Sequence, residues 1–172
     1  MAGDIKTSYP ATNADTTALT ITLASLATSA TLVVGRASTA VDNSSNEDED
    51  HLVSGQITVG TSPTGGRIEV WAYGPLSIAS GTPDYGLPTG SDAAITYASR
   101  NQLVSGLRLL WSTAVDTTTD REYYMPPTSV RDAFGELPPR WGVVVTHSSA
   151  VNLNSTAGNH FLHYHRIQKQ YT

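Results

Sequence analysis

The residues best suited to chemistry in this chain are histidines close to its end. Three of the five histidines, His160, His163 and His165, fall in the segment 160–167, and His147 ends the apolar segment before it. Because side chains alternate along a strand, we expect His163 and His165 to point to one side and His160 to the other. Two imidazoles on one strand face bind zinc, iron or nickel when a neighbouring strand supplies a third ligand, for which His147 is the candidate.

The residues that follow this histidine pair argue against a metal enzyme. A cupin-like metal site places a glutamate shortly after its His-x-His pair, whereas Arg166-Ile-Gln-Lys-Gln follows here without an acid. Histidines at a rim or at an oligomer contact are the simpler interpretation. We therefore predict no metal and no other cofactor, and His147, His163 and His165 remain the residues to test for one.

An acidic run, Glu47-Asp48-Glu49-Asp50, offers oxygen ligands of the kind that calcium prefers. The run lacks the glycine and the terminal glutamate of the helix-loop-helix calcium pattern. A run of like charges is typical of a solvated loop, so we expect an outward-facing tip at this position.

The aromatic residues allow two interpretations. They could form a platform on which sugars stack, or they could fill a sandwich core or an oligomer interface. The binding candidates are Trp71, Tyr73, Tyr85 and Trp141, and Tyr123 and Tyr124 accompany them. No Gly-x-Ser-x-Gly elbow, phosphate-binding glycine loop or suitably spaced carboxylate pair is present, so we predict no catalytic residues and no enzyme activity.

Alternation of apolar and polar residues predicts the elements that must position these side chains. We expect about eight strands, at 19–23, 31–35, 51–59, 67–73, 107–115, 121–125, 141–147 and 160–167. The last two are expected to be adjacent strands joined by a loop of small residues. Short helices are expected at 129–134, where Ser129 caps and Gly135 closes, and within 92–102. A long loop rich in proline and glycine at 75–90 is of the kind that is usually functional or disordered.

These elements predict an all-β fold. Short strands with long loops indicate a two-sheet β-sandwich of jelly-roll type with at most one or two short helices. A seven-stranded immunoglobulin-like sandwich is the alternative. A chain of 172 residues fits one domain over 1–172, with residues 1–15 as a candidate N-terminal arm.

Composition excludes several classes of partner and site. The chain has no cysteine, which excludes disulfides and thiolate metal sites. Its net charge of −5 repels phosphate backbones, so we expect no nucleic-acid partner. The uncharged stretch 16–35 is interrupted by threonine and serine and does not suit a membrane span. The first residues lack the apolar core of a signal peptide, so we expect a soluble protein made without export and no membrane partner.

Several segments spread over nearly the whole chain resemble small virion structural proteins of tailed bacteriophages. The segments are Asp4-Ile-Lys-Thr-Ser-Tyr, Gly35-Arg-Ala-Ser-Thr-Ala-Val-Asp-Asn, Arg67-Ile-Glu-Val-Trp-Ala-Tyr-Gly, Val115-Asp-Thr-Thr-Thr-Asp-Arg-Glu-Tyr-Tyr, Trp141-Gly-Val-Val-Val-Thr and Asn152-Leu-Asn-Ser-Thr-Ala-Gly-Asn-His. All of them consist of ordinary strand and loop residues and none is a catalytic signature.

The resemblance implies a non-enzymatic component of the particle. It implies a capsid decoration, or cement, protein that binds the outer surface of the major capsid protein shell and acts as a dimer or trimer. Such a protein is made in the host cytoplasm and resides on the capsid exterior of the virion. A tail or head-fibre component is the structural alternative, and a carbohydrate-binding module is the alternative from another class.

Overall fold

The computed structural model describes residues 5–8, 16–46, 48–78 and 81–171, and these form two antiparallel sheets. The strands are β1 Ile5–Ser8, β2 Thr16–Ala18, β3 Val34–Ala37, β4 Val41–Asp42, β5 Asp50–Thr58, β6 Arg67–Tyr73, β7 Ala93–Thr96, β8 Arg108–Ala114, β9 Glu122–Ser129, β10 Arg140–His147 and β11 Phe161–Tyr171. The helices are α1 Arg100–Gly106 and α2 Val130–Phe134, and a single 3₁₀ turn spans Ala157–Asn159. The predicted all-β sandwich with two short helices is confirmed.

The strand order is that of a jelly roll. The five-stranded sheet has the order β1-β11-β5-β9 with β2 also paired to β11, and the six-stranded sheet has the order β7-β3-β10-β6-β8 with β4 on β10. Without the short strands β1, β4 and β7, the two sheets read β2-β11-β5-β9 and β3-β10-β6-β8. Consecutive strands then cross between the sheets at every step except β6 to β8, which are neighbours in one sheet, and this is the strand order of the predicted eight-stranded jelly roll.

Some local expectations are corrected by pairing between distant strands. The segments 141–147 and 160–167 are not neighbours, because β10 lies in the six-stranded sheet and β11 in the five-stranded sheet. The region 92–102 forms β7 and only then a helix, because β7 pairs with β3. Of the candidate arm 1–15, the described residues 5–8 form β1 on β11, and the rest lies outside the described residues.

The helix predicted at 129–134 is confirmed with its caps. The Ser129 hydroxyl oxygen accepts a hydrogen bond from the Asp132 N–H at 2.9 Å. Gly135 closes the helix with a φ of 89°, a left-handed conformation that favours glycine.

The two sheets are covered differently on their outer faces. Between the sheets, β5 and β11 pack Val53, Ile57 and Leu162 against the inner side of β6 and β10. The outer side of the six-stranded sheet carries a second core, in which residues of the connection from β6 to β8 cover Trp71, Tyr73 and Val144; the covering residues are Ile95, Tyr97, Leu103 and Leu107. Because β6 and β10 are buried on both faces, their sequences are almost continuously apolar. Among the described residues, the outer face of the five-stranded sheet has no such cover, and Tyr124 and Phe161 are 62% and 42% exposed there.

The edges of the sheets are poor templates for a further strand. Pro126 and Pro127 lie in the edge strand β9, and β7 is only four residues long. In the edge strand β8 a bulge leaves Leu110 without a partner on β6. Short strands, prolines and bulges are devices that prevent edge-to-edge pairing, so partners are expected at loops or sheet faces.

Two acids of the acidic run, Asp48 and Asp50, are buried, contrary to the expectation of a solvated tip. Glu47 lies outside the described residues, but Asp48 and Asp50 are 5% and 8% exposed. Arg166 of β11 binds both carboxylate oxygens of Asp48, at 2.7 and 2.9 Å. His51 of β5 contacts the same carboxylate at 2.9 Å. These partners hold Asp48 inside the fold, and its oxygens are occupied without calcium.

This burial yields a stability prediction. Arg166→Met removes the bidentate partner of a buried carboxylate and is expected to lower the free energy of unfolding by about 3 kcal/mol or more. Arg140→Met is the matched control, because Arg140 pairs with the half-exposed Asp42 at 2.8 Å and surface pairs contribute about 1 kcal/mol or less. Urea denaturation of both variants measures the difference. Equal losses in the two variants would contradict a structural role for the Asp48 pair.

Candidate functional site

The histidine candidates do not assemble into a metal site. His163 and His165 both lie on the outer face of the five-stranded sheet, which confirms their predicted alternation. His147 lies on β10 in the other sheet, fully buried, with Nε2 3.0 Å from the carbonyl oxygen of Leu26. Within the described ranges, no group of three histidine, cysteine or acidic residues is placed to hold a metal ion.

Three of the four aromatic binding candidates belong to the core. Trp71, Tyr73 and Trp141 are 6%, 0% and 0% exposed and present no ring face to a ligand. Their polar atoms bond internally: Trp71 donates to Glu69, Trp141 to His51, and Tyr73 to the Ser38 carbonyl. Tyr85 alone is half-buried, and it lines a surface cleft.

A buried ion pair positions the wall of that cleft. Glu69, on the outer side of β6, is 1% exposed and is bound by the guanidinium of Arg100 at 2.7 and 2.8 Å. The same guanidinium lies 4.9 Å above the ring of Trp71, a cation–π distance. Because Arg100 is the first residue of α1, these contacts fix the helix on the sheet.

The cleft lies between α1 and the predicted long loop at 75–90. It has a volume of about 170 Å³, and its walls are Leu76, Tyr85, Leu87, Pro88, Tyr97 and Leu107, with Gln102 and Ser105 from α1. A second cleft of about 360 Å³ shares Leu76, Ser105 and Gly106 with the first and continues to Arg108, Phe134 and Glu136. The two form one groove along this end of the sandwich, which we call the loop groove.

Four exposed apolar side chains lie in the segment that forms the loop groove, and two of them, Leu76 and Leu87, line the groove itself. Leu76, Ile78, Leu87 and Val104 are 69%, 48%, 43% and 42% exposed. They are four of the seven large apolar residues that are exposed among the described residues, and all belong to the connection between β6 and β8. Exposed apolar side chains that line a groove are typical of a surface that a partner covers.

The floor of the groove contains an unusual tyrosine. The Tyr97 hydroxyl is buried and has no hydrogen-bond partner among the described residues. Burial raises the pKa of Tyr97 to about 12, so the hydroxyl stays protonated and remains a donor. No sequence pattern points to Tyr97, whereas the apolar Leu76, Ile78 and Leu87 within a breaker-rich loop are a usable signal.

A second exposed feature lies on the uncovered sheet face. Gln56 in the middle strand β5 pairs with Phe161 of β11 on one side and with Tyr124 of β9 on the other. Residues paired directly across antiparallel strands project to the same face. The two exposed rings therefore lie in one row with an amide between them, and we call this row the ring row. Tyr124 was among the sequence candidates, whereas Phe161 was missed, although it alternates in step with His163 and His165.

Two buried histidines make stability depend on pH. Burial lowers the pKa of both His51 and His147. A histidine in the unfolded chain has a pKa of about 6.5. Below that pH the unfolded chain therefore binds more protons than the folded chain. The contribution of the neutral histidines to the free energy of unfolding is complete above about pH 6.5. Below that pH, each histidine lowers the free energy of unfolding by up to about 1.4 kcal/mol per pH unit.

Urea denaturation at pH 7.5 and pH 5.5 checks this dependence. The free energy of unfolding is expected to be lower at pH 5.5. Hydrogen bonds and ion pairs hold the pKa of Asp48 and Asp92 below their usual range, so these carboxylates stay ionised and do not produce the change. A free energy that is equal at the two pH values would contradict the burial of neutral imidazoles.

Two tyrosines on the same covered face give a matched pair of variants. Tyr73→Phe removes the 2.7 Å hydrogen bond to the Ser38 carbonyl and is expected to cost about 1 kcal/mol of stability. Tyr97→Phe removes a donor that has no protein acceptor and is expected to leave stability equal or higher. Thermal unfolding compares them, and a larger loss for Tyr97→Phe than for Tyr73→Phe would show a partner for the Tyr97 hydroxyl in the free protein.

Comparisons with known proteins leave function to be argued from this geometry. No protein-family model, curated protein or solved structure matches the chain. In the part of the chain that the structure describes, neither helix is long and apolar enough to cross a membrane.

Proposed function

We propose that this chain is a structural component of a bacteriophage virion. Its role is that of a capsid decoration protein, which binds the outer surface of the major capsid protein shell and stabilises it. The family resemblance of the sequence suggests the particle, and the jelly-roll fold is compatible with it. The observation that carries the docking role is the pair of exposed apolar side chains, Leu76 and Leu87, that line the loop groove.

The loop groove has the properties that docking onto a preformed surface requires. Its apolar residues Leu76 and Leu87 stand on a loop, so they can reach into depressions of a neighbouring surface. The Glu69–Arg100 pair holds the α1 wall rigid, which limits the entropy that is lost on binding. Together these features favour a protein partner at this end of the sandwich.

Repetition over a shell explains how one modest contact would suffice. The loop groove is small, so a single copy would bind weakly. Self-association into a dimer or trimer raises the effective concentration of each further contact, and the same contact recurs across the capsid lattice. Stabilisation of the shell then follows from many weak contacts, none of which has to be strong.

Copy number in purified particles tests the proposal. A decoration protein is expected at a stoichiometry comparable with that of the major capsid protein, measured by quantitative mass spectrometry. A few copies per particle would contradict decoration and favour the alternative, a tail or head-fibre component.

A binding assay with variants tests the docking surface. Shells assembled without this chain are incubated with the wild type and with the double variant Leu76→Ser, Leu87→Ser, and bound protein is sedimented with the shells. The double variant is expected to bind at least about tenfold more weakly, since about 1.4 kcal/mol of lost contact suffices for that change. Tyr124→Ala is the matched control, because it removes an exposed side chain on a different surface. Wild-type binding by the double variant would exclude the loop groove as the contact.

A further inference from the structure

The ring row on the uncovered sheet face is built like a stacking platform. Tyr124 and Phe161 flank Gln56 in direct register across three strands. Neighbouring strands lie about 4.8 Å apart, so the two ring positions are about 10 Å apart. Both rings are exposed, at 62% and 42%. Ile57, which follows Gln56 on β5 and points to the opposite side of the sheet, is fully buried. The rings therefore face solvent from a rigid, well-packed sheet.

Neighbouring side chains hold both rings in place. The Tyr124 hydroxyl donates a hydrogen bond to the Glu122 carboxylate on the same strand. The Phe161 ring lies 5.1 Å from the His163 ring at an interplanar angle of 35°. Gln56 between them donates its amide to the Asn159 carbonyl at 3.3 Å. A ligand would meet rings that are already ordered, which reduces the entropy cost of binding.

The charges of this face favour a neutral ligand. The ring row itself carries no side chain that is charged at neutral pH, because the hydrogen bond to Glu122 raises the pKa of Tyr124. His163 lies in the next row on the same face. Its cross-strand partners, Ser54 on β5 and Ala18 on β2, are uncharged as well. Glu122, the nearest acid on this face, is already engaged by Tyr124. Among the described residues of the ring row and the row of His163, no lysine or arginine complements a phosphate or a carboxylate, whereas the amide, imidazole and hydroxyl groups suit sugar hydroxyls.

We propose that the ring row binds a neutral, extended oligosaccharide chain. One pyranose ring stacks on Tyr124 and a second on Phe161, with the apolar faces of the sugars against the rings. The two rings are about 10 Å apart, which is two strand separations. This distance matches the distance between every second sugar of an extended β-linked chain. Gln56 lies beneath the sugar that bridges the two stacked units, and His163 and Ser54 lie beside the row.

A glycan suits this face better than a protein partner does. A protein interface has an apolar centre that excludes water, surrounded by a polar rim. Here the two rings are separated by an amide, so the row has no continuous apolar centre. The face is also distinct from the loop groove, so the proposal does not rest on attachment to a capsid.

Binding to soluble oligosaccharides tests the proposal directly. The probes are cellohexaose, xylohexaose and mannohexaose, which are neutral and β-1,4-linked, and isothermal titration calorimetry measures the affinity of the whole chain for each. Binding to at least one probe is expected. Tyr124→Ala and Phe161→Ala are each expected to weaken it about tenfold. Tyr124→Phe retains the stacking face and is expected to stay within about threefold of the wild type.

A matched control separates this surface from the loop groove. Leu76→Ala removes an exposed apolar side chain of the groove and is expected to leave oligosaccharide affinity unchanged. Circular dichroism and thermal unfolding confirm that the alanine variants are folded, which is expected because both side chains are exposed. Absence of binding to all three probes, or binding that Tyr124→Ala and Phe161→Ala leave unchanged, would overturn the proposal.

Discussion

A buried chain of hydrogen bonds from one sheet to the other holds this sandwich together. Trp141 of β10 donates its indole N–H to Nδ1 of His51 on β5 at 2.8 Å. Because indole is only a donor, His51 carries its proton on Nε2 and donates it to Asp48. Arg166 of β11 completes the chain with a bidentate contact to the same carboxylate. Burial by itself raises the pKa of Asp48, but the hydrogen bonds from Arg166 and His51 outweigh it and hold this pKa below the usual range.

The unequal covering of the two sheets follows from the path of the chain. The long connection between β6 and β8 folds back over the six-stranded sheet, and the Glu69–Arg100 pair fastens it there. This covering creates the second core and, at its margin, the loop groove. No described connection crosses the five-stranded sheet in the same way, so Tyr124 and Phe161 remain at the surface. The two proposed binding surfaces are thus consequences of one asymmetry.

The arrangement gives the two proposed surfaces different physical characters. The loop groove lies at an end of the sandwich and combines the long loop at 75–90 with a fixed helix wall. The ring row is flat, uncharged and supported by a continuous sheet. Occupation of the groove by a large protein surface would leave the ring row accessible, because the row lies on a side face of the sandwich. Attachment to a shell and binding of a glycan are therefore compatible in one molecule.

The sequence by itself determined the properties that depend on near neighbours. Alternation placed β6 at 67–73 and the pair His163 and His165 on one face, and the caps Ser129 and Gly135 defined α2. The number and spacing of the strands were also sufficient for a two-sheet sandwich, whereas the strand order distinguishes the jelly roll from the immunoglobulin-like alternative.

Only the tertiary structure decided which side chains are buried and which meet. Asp48 is buried because Arg166, 118 residues away, binds it, although its local sequence is that of a solvated run. Trp71 and Tyr73 are covered by a connection that the alternation of β6 does not reveal. Tyr124 and Phe161 share a row because both pair with Gln56. Periodicity depends on residues that are close in the sequence. The covering of a sheet and the register of its strands depend instead on contacts between distant segments, which a local pattern does not specify.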